Sequence, residues 1–159
     1  MTLFPSRKNL YLIILLFSLI SILSALYIEF ILGYKPCKLC IYQRLPYLAA
    51  LFVSFIGLYY FKNENILIIL IIIFTISAII SGYHFGIENS FFEEFSSCAN
   101  NQLNLSDKAK LLESLSKNMP LDCKDATFTI LGVSLAAINT LLSILIIIIS
   151  IRTLSYEKN

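Results

Sequence analysis

Charge is what this chain has least of. Lys, Arg, Asp and Glu make up 14% of its 159 residues and 58% are hydrophobic, whereas soluble domains carry about 25% charged residues. That balance excludes an ordinary soluble domain, although the length would suit one. The net charge is only +2 and no cluster of Lys and Arg occurs, so nucleic acid is not an expected partner. No G-x-G-x-x-G is present, so a nicotinamide acceptor has no support. Internal repeats and low-complexity linkers are missing too. Histidine is reduced to one residue, His84, and there are four cysteines, an even number that permits two disulfides without proving them.

What the chain does have is four charge-free runs, residues 9–28, 45–61, 66–83 and 126–151. A spanning helix needs about 20 mainly apolar residues, so the first and fourth fit comfortably and the second is at the short limit. Stretches such as "LIILIIIFTI" are rich in Ile, which in water would favour a strand. In lipid the backbone must satisfy its own hydrogen bonds, so each run is expected to be a helix. The runs are continuous, not alternating, which excludes a small barrel. Arg7 and Lys8 ahead of the first run resemble the start of a signal peptide, but the run is longer than the usual 7–15 apolar residues, so it is read as a retained span. The expectation is an all-α membrane protein, a four-transmembrane-helix bundle forming one membrane domain over residues 1–159.

Four spans put both termini on one side, joined there by "KNEN" (62–65), and leave a short loop (29–44) and a long loop (84–125) on the other. All four cysteines fall on that second side: Cys37 and Cys40 in the short loop, Cys98 and Cys123 in the long one. Disulfides persist in the periplasm and are rare in cytosol, and Arg7 and Lys8 flank the first span. Both features favour cytoplasmic termini and periplasmic cysteines. Within the long loop, "SDKAKLLESLSKNM" (106–119) has Ser106 as a candidate N-cap and Leu111, Leu112, Leu115 and Met119 on one face. It reads as a short amphipathic helix, lying either on the membrane surface or across the end of the bundle.

Cys37 and Cys40 form a C-x-x-C at the head of the second span, after Pro36 and among Lys35, Lys38 and Arg44. A helix start favours an anion, and the cations add to it; both would lower a thiol pKa and raise the reactive thiolate fraction. Arg44 follows Cys40 by four residues and shares its helix face. A guanidinium at the edge of lipid needs a polar partner, which a thiolate or the oxygen of a bound ligand could provide. A zinc site drawing also on Cys98 and Cys123 is the weaker reading, because zinc ligands usually come as close pairs on both sides; no metal is expected. Two inert disulfides are a further alternative. A C-x-x-C bridge closes too small a loop to stabilise much, whereas Cys98–Cys123 could contribute about 3–4 kcal/mol. The first pair is the better redox candidate, and the second could be either. His84, ending the third span in "SGYHFGIE", either marks the interface or binds or protonates a ligand beside Cys40 and Arg44. Glu88 reads as a solvated interface charge.

These residues resemble the bacterial disulfide bond formation protein B (DsbB) family. "PCKLCIYQRLPY" is close to its signature, and "YHFGIE", the "DC" at 122–123 and "LGVSLAAIN" (131–139) are similar to its later segments, over about residues 10–150. Gln43 stands where some members carry an acid and Phe128 where many have Trp; neither is itself a cysteine contact by sequence. The resemblance implies a thiol:quinone oxidoreductase of the bacterial inner (cytoplasmic) membrane that reoxidises a periplasmic DsbA-type thiol oxidase and passes electrons to ubiquinone or menaquinone. It implies that Cys98 forms a mixed disulfide with the partner, that Cys123 pairs with Cys98 and then engages Cys37, and that Cys40 faces the quinone with Arg44 and His84 beside it. The DsbA type is a strong oxidant, at about −120 mV, so its acceptor must be stronger still. A vitamin K epoxide reductase-like enzyme would carry its quinone-facing C-x-x-C near the end of the bundle, and a tetraspan scaffold with structural disulfides would turn over no thiols.

Overall fold

A computed structural model describes residues 5–92, 129–130 and 133–158. Four long helices account for most of them: α1 (Arg7–Phe30), α2 (Lys38–Tyr59), α3 (Glu64–Glu88) and α4 (Leu135–Lys158). Ahead of α4, β1 (Thr129–Ile130) and β2 (Val133–Ser134) pair antiparallel, Ile130 opposite Val133. Each helix is long and apolar enough to cross a membrane. Their outer faces carry Ile13, Ile20, Leu23, Phe52, Ile72, Ile79 and Leu145 in the open. Water would not tolerate that surface; lipid would.

The helices pack in chain order, α1 on α2, α2 on α3 and α3 on α4, while α1 and α4 hardly meet. The core holds Tyr11, Ile14, Tyr47, Ala50, Leu67, Leu70 and Phe74. Tyr47 sits at its centre, tilted against Phe17 at 5.9 Å and edge-on to Phe74 at 6.1 Å. Between α3 and α4 the contact is polar and small. Ser143 Oγ donates to Ser77 Oγ (3.2 Å), and Thr140 Oγ1 donates to Ser81 Oγ (2.9 Å). Small hydroxyl side chains of this kind let membrane helices approach closely.

Local chemistry sets the helix ends, and it moves them from where the charge-free runs suggested. The second span, expected over 45–61, starts at Lys38, because Cys37 caps it: its Sγ accepts from the Cys40 backbone N–H at 3.1 Å. Pro46 lies inside α2 and removes one backbone hydrogen bond without ending it. The third, expected over 66–83, runs from an Asn63 cap, whose side chain accepts from Asn65 N–H, through to Glu88. The fourth, expected over 126–151, begins only at Leu135, because Val133 and Ser134 are extended and pair with Thr129 and Ile130, and it continues past Arg152. The short connection shrinks from 29–44 to 31–37 and uses Gly33 at φ +74°, where a side chain would be strained. Arg7 is buried, not a solvated flank. Its Nη1 donates to the Lys62 carbonyl (3.3 Å) and its Nη2 to Glu64 Oε1 (3.4 Å), tying the start of α1 to the α2–α3 turn. Cys98, Cys123, Phe128 and the expected helix over 106–119 lie outside the described residues.

Candidate functional site

At the end of the bundle opposite the termini, α2 and α3 bring Cys37, Cys40 and His84 together. The two sulfurs and a ring nitrogen of His84 all lie within 4.8 Å of one another. The pair is asymmetric. Cys37 is fully buried against Ile87, Leu39 and Tyr83, whereas Cys40 is half-buried and opens on a cavity. Both are free thiols. The Cys40 sulfur beside it and its own burial push the Cys37 thiol up, against the helix-start donors that hold it down. The lowering expected from the helix start and the nearby cations therefore does not prevail at Cys37.

His84 is 3% exposed. Its Nε2 lies 3.6 Å from Cys37 Sγ and 3.6 Å from Glu88 Oε1. Its Nδ1 lies 2.8 Å from Gln43 Nε2. The Gln43 Oε1 accepts in turn from Asn139 Nδ2 at 3.0 Å, and the Tyr47 hydroxyl donates to Asn139 Oδ1. A polar chain thus runs from the core through α4 and α2 to the sulfur of Cys37. Glu88, expected to be solvated, has a side chain only 8% exposed, and its Oε2 is buried with no hydrogen-bond partner among the described residues. Burial of a carboxylate in this way is costly unless something in the site compensates.

Arg44 has a protein partner, not only a prospective ligand. Its Nη1 donates to Glu29 Oε2 at 2.5 Å, joining the head of α2 to the end of α1. Between α1 and α4, where those helices stand apart, lies a cavity of about 860 Å³. Ile20, Ala25, Ile138 and Leu142 line its apolar part; Cys40, Gln43, Arg44, His84 and Glu88 line its polar end. Its size and mixed lining are those of a small-molecule site.

Sequence reasoning named Cys37, Cys40, Arg44 and His84, and the structure brings those four to one place. It missed Glu29, Gln43 and Asn139 as members of that place. Glu29 left a trace, being the only acid before Glu64 and closing the first apolar run just as Arg44 opens the second. Asn139 left none beyond being an amide inside an apolar span.

A multi-helix membrane protein with a dithiol at the mouth of an apolar cavity is a membrane thiol enzyme in outline. Comparison with known proteins gives it a family: residues 7–153 match the family model described as disulfide bond formation protein DsbB. The chain belongs to that family, and it is a multi-pass membrane protein of disulfide-bond formation, a disulfide oxidoreductase. It is also 29% identical over 156 residues to an uncharacterized protein of Rickettsia prowazekii (strain Madrid E), covering 96% of this chain and 90% of that one. No solved structure matches it.

Proposed function

We propose that this protein is a thiol:quinone oxidoreductase, taking electrons from a periplasmic DsbA-type oxidase and delivering them to membrane ubiquinone or menaquinone. The observation that carries the reading is Cys40 opening on the α1–α4 cavity within a cluster that includes Arg44 and His84. The fit to a quinone is good on the residues present: an apolar wall for ring and tail, donors for ring oxygens, and entry between two helices that would face lipid. Quinone, when bound, supplies a two-electron acceptor of higher potential than the DsbA type.

The chain's own residues do the rest. Cys40 presents a sulfur to the cavity while Cys37, behind it, is the other half of the exchangeable pair. The Arg44 guanidinium, oriented by Glu29, favours negative charge on whatever occupies the polar end, and a fixed cation in a poorly solvated site does this better than a lysine in water. His84 and Gln43 hold the back of the site. Cys98 and Cys123 complete the route to the partner, Cys98 through the mixed disulfide. The termini are assigned to the cytoplasm and the cysteines to the periplasm, on the distribution of cations and thiols along the chain.

The test is direct. Purified protein is mixed with quinone and reduced DsbA-type protein, and quinone absorbance and partner thiols are followed together. The expected result is one quinone reduced per disulfide formed. Partner oxidation that proceeds at the same rate without quinone, or no oxidation at all, would remove this function.

A further inference from the structure

The polar chain behind Cys37 has a direction. Asn139 Oδ1 accepts from the Tyr47 hydroxyl, and Ser143 Oγ, whose proton goes to Ser77, stands 3.4 Å from the same oxygen. That turns Asn139 Nδ2 toward Gln43, where it donates to Oε1. The Gln43 amide is thereby oriented too, and its Nε2, a donor with no acceptor capacity, is the atom that meets His84 Nδ1 at 2.8 Å. A ring nitrogen facing an N–H donor is the bare one. The ring proton of His84 then belongs on Nε2, the atom 3.6 Å from Cys37 Sγ.

We propose that Gln43 is a positioning residue that holds His84 as the neutral Nε2–H tautomer, making it a fixed hydrogen-bond donor to the Cys37 sulfur and not an acid–base group. A proton added at Nδ1 would set N–H against N–H in a ring that is 3% exposed. Loss of the Nε2 proton would leave an imidazolate. No proton therefore enters or leaves the ring, and Nε2–H lends its partial charge to a sulfur that already accepts from the Cys40 backbone N–H. Donors of this kind matter most when the sulfur bears negative charge. The same tautomer counts against a metal on Cys37, Cys40 and His84, because a ligating Nε2 must be bare while Nδ1–H donates to an acceptor.

Every charged or titratable group near the ring, among the described residues, bears on this. Cys37 caps α2, and Cys40, Arg44 and Tyr47 come from within it; Tyr83 and Glu88 come from α3, Glu29 from α1, and Tyr34 and Lys35 from the α1–α2 connection, while α4 contributes the uncharged Asn139. Glu88, 3.6 Å from Nε2, favours a doubly protonated ring; the Gln43 N–H opposes it. Gln43→Glu would replace that donor by an acceptor and remove the opposition. The tautomer does not depend on quinone being the acceptor; only the use made of the donor rests on that reading.

His84 is the one histidine in the chain, so histidine labelled with nitrogen-15 reports a single ring in the full-length protein in lipid nanodiscs. We expect one bare nitrogen, Nδ1, and one protonated, Nε2, persisting below about pH 6.5, where a free histidine is half-protonated. In Gln43→Glu the bare-nitrogen resonance should be lost at a pH where the parent retains it, and the pH profile of thiol turnover should gain an inflection there. Gln43→Leu, which keeps the volume without the donor, should give a mixture of tautomers and serves if the Glu variant does not fold. A parent ring protonated on Nδ1, or on both nitrogens at neutral pH, overturns the proposal. So does a Gln43→Glu spectrum identical to the parent's, or Co²⁺ binding to the reduced protein with thiolate charge-transfer bands and a shifted Nε2. None of these readouts needs quinone. A correct tautomer without quinone turnover would therefore sink the proposed function and leave this inference standing.

Discussion

Arg44 Nη1 rests 2.5 Å from Glu29 Oε2, with each side chain about one-quarter exposed, 25% and 26%. The cation beside Cys40 is therefore half of an ion pair that also forms part of the cavity wall. A lone fixed donor of this type commonly contributes about 10²–10³ in rate. Glu29 offsets part of the field, so Arg44→Met should slow quinone-dependent turnover by about tenfold or more, short of that ceiling, while Cys98–Cys123 still exchanges with the partner. Glu29→Gln keeps an acceptor for the guanidinium but deletes the opposing charge, and should lower the apparent KM for quinone. Steady-state rates at several quinone concentrations measure both. If neither variant changes turnover or KM, the pair is an anchor for two helix ends and nothing more.

Stability should turn on a different contact. A Cβ at Gly57 would stand 3.0 Å from the ring of Tyr11, a residue with no exposed surface, whereas at Gly82 the nearest atom would be Thr140 Cγ2 at 3.9 Å. Gly57→Ala forces the α1–α2 interface apart, and overpacking of this kind costs about 1–3 kcal/mol. Gly82→Ala fits, and gains from the better helix propensity of alanine. Thermal unfolding in detergent should give a lower Tm for the first variant and an equal or higher Tm for the second. Equal Tm values for the two would show that the Tyr11 ring yields freely.

The four spans were legible in the sequence because lipid demands continuous apolar runs, and no other requirement writes so plain a pattern. Their ends were less so. Charge-free runs mark where a helix can be immersed, but a cap such as Cys37, or pairing that neutralises Arg44 through Glu29, lets the helix run on through charged residues. Cys37, Cys40, Arg44 and His84 were legible as one candidate site. Their supports were not, because Glu29, Gln43 and Asn139 reach the site from three different helices, and the register between helices is set by packing. Gln43 shows this best: read as a departure from the family pattern with no cysteine contact, it stands one imidazole ring away from Cys37.

The orientation of the bundle can be checked from either end of its chain. Asn63, in the α2–α3 turn, and Tyr156, near the end of α4, are both exposed, and the contacts of Arg7 hold the start of α1 at the same end as that turn. With native cysteines replaced, Asn63→Cys and Tyr156→Cys should react with a membrane-impermeant maleimide only after cells are opened. A cysteine replacing Tyr34, exposed at the opposite end, should react in cells with a permeable outer membrane and an intact inner one. Labelling of the first two from outside would invert the assignment.

The two thiols of the C-x-x-C should behave differently, for reasons of access and of charge. Cys37 has no exposed surface and Cys40 lines the cavity. The fold also holds Cys37 protonated more firmly than the unfolded chain would, because the Cys40 sulfur and burial both disfavour its thiolate. The sign follows. Any stability gained from that thiol is present below the ordinary thiol range, about 8.5, and is lost as the pH climbs past it. In reduced protein lacking Cys98 and Cys123, a small alkylating reagent at pH 7 to about 8.5 should therefore modify Cys40 at least about tenfold faster than Cys37, since only the thiolate reacts. The same asymmetry predicts distinct failures in turnover. Cys40→Ser should abolish quinone reduction, and Cys98→Ser should block the mixed disulfide with the partner while Cys37 and Cys40 still react with quinone, because an exchange chain cannot skip a member. Equal labelling of the two thiols would place Cys37 at the surface, and full activity of either serine variant would remove the relay.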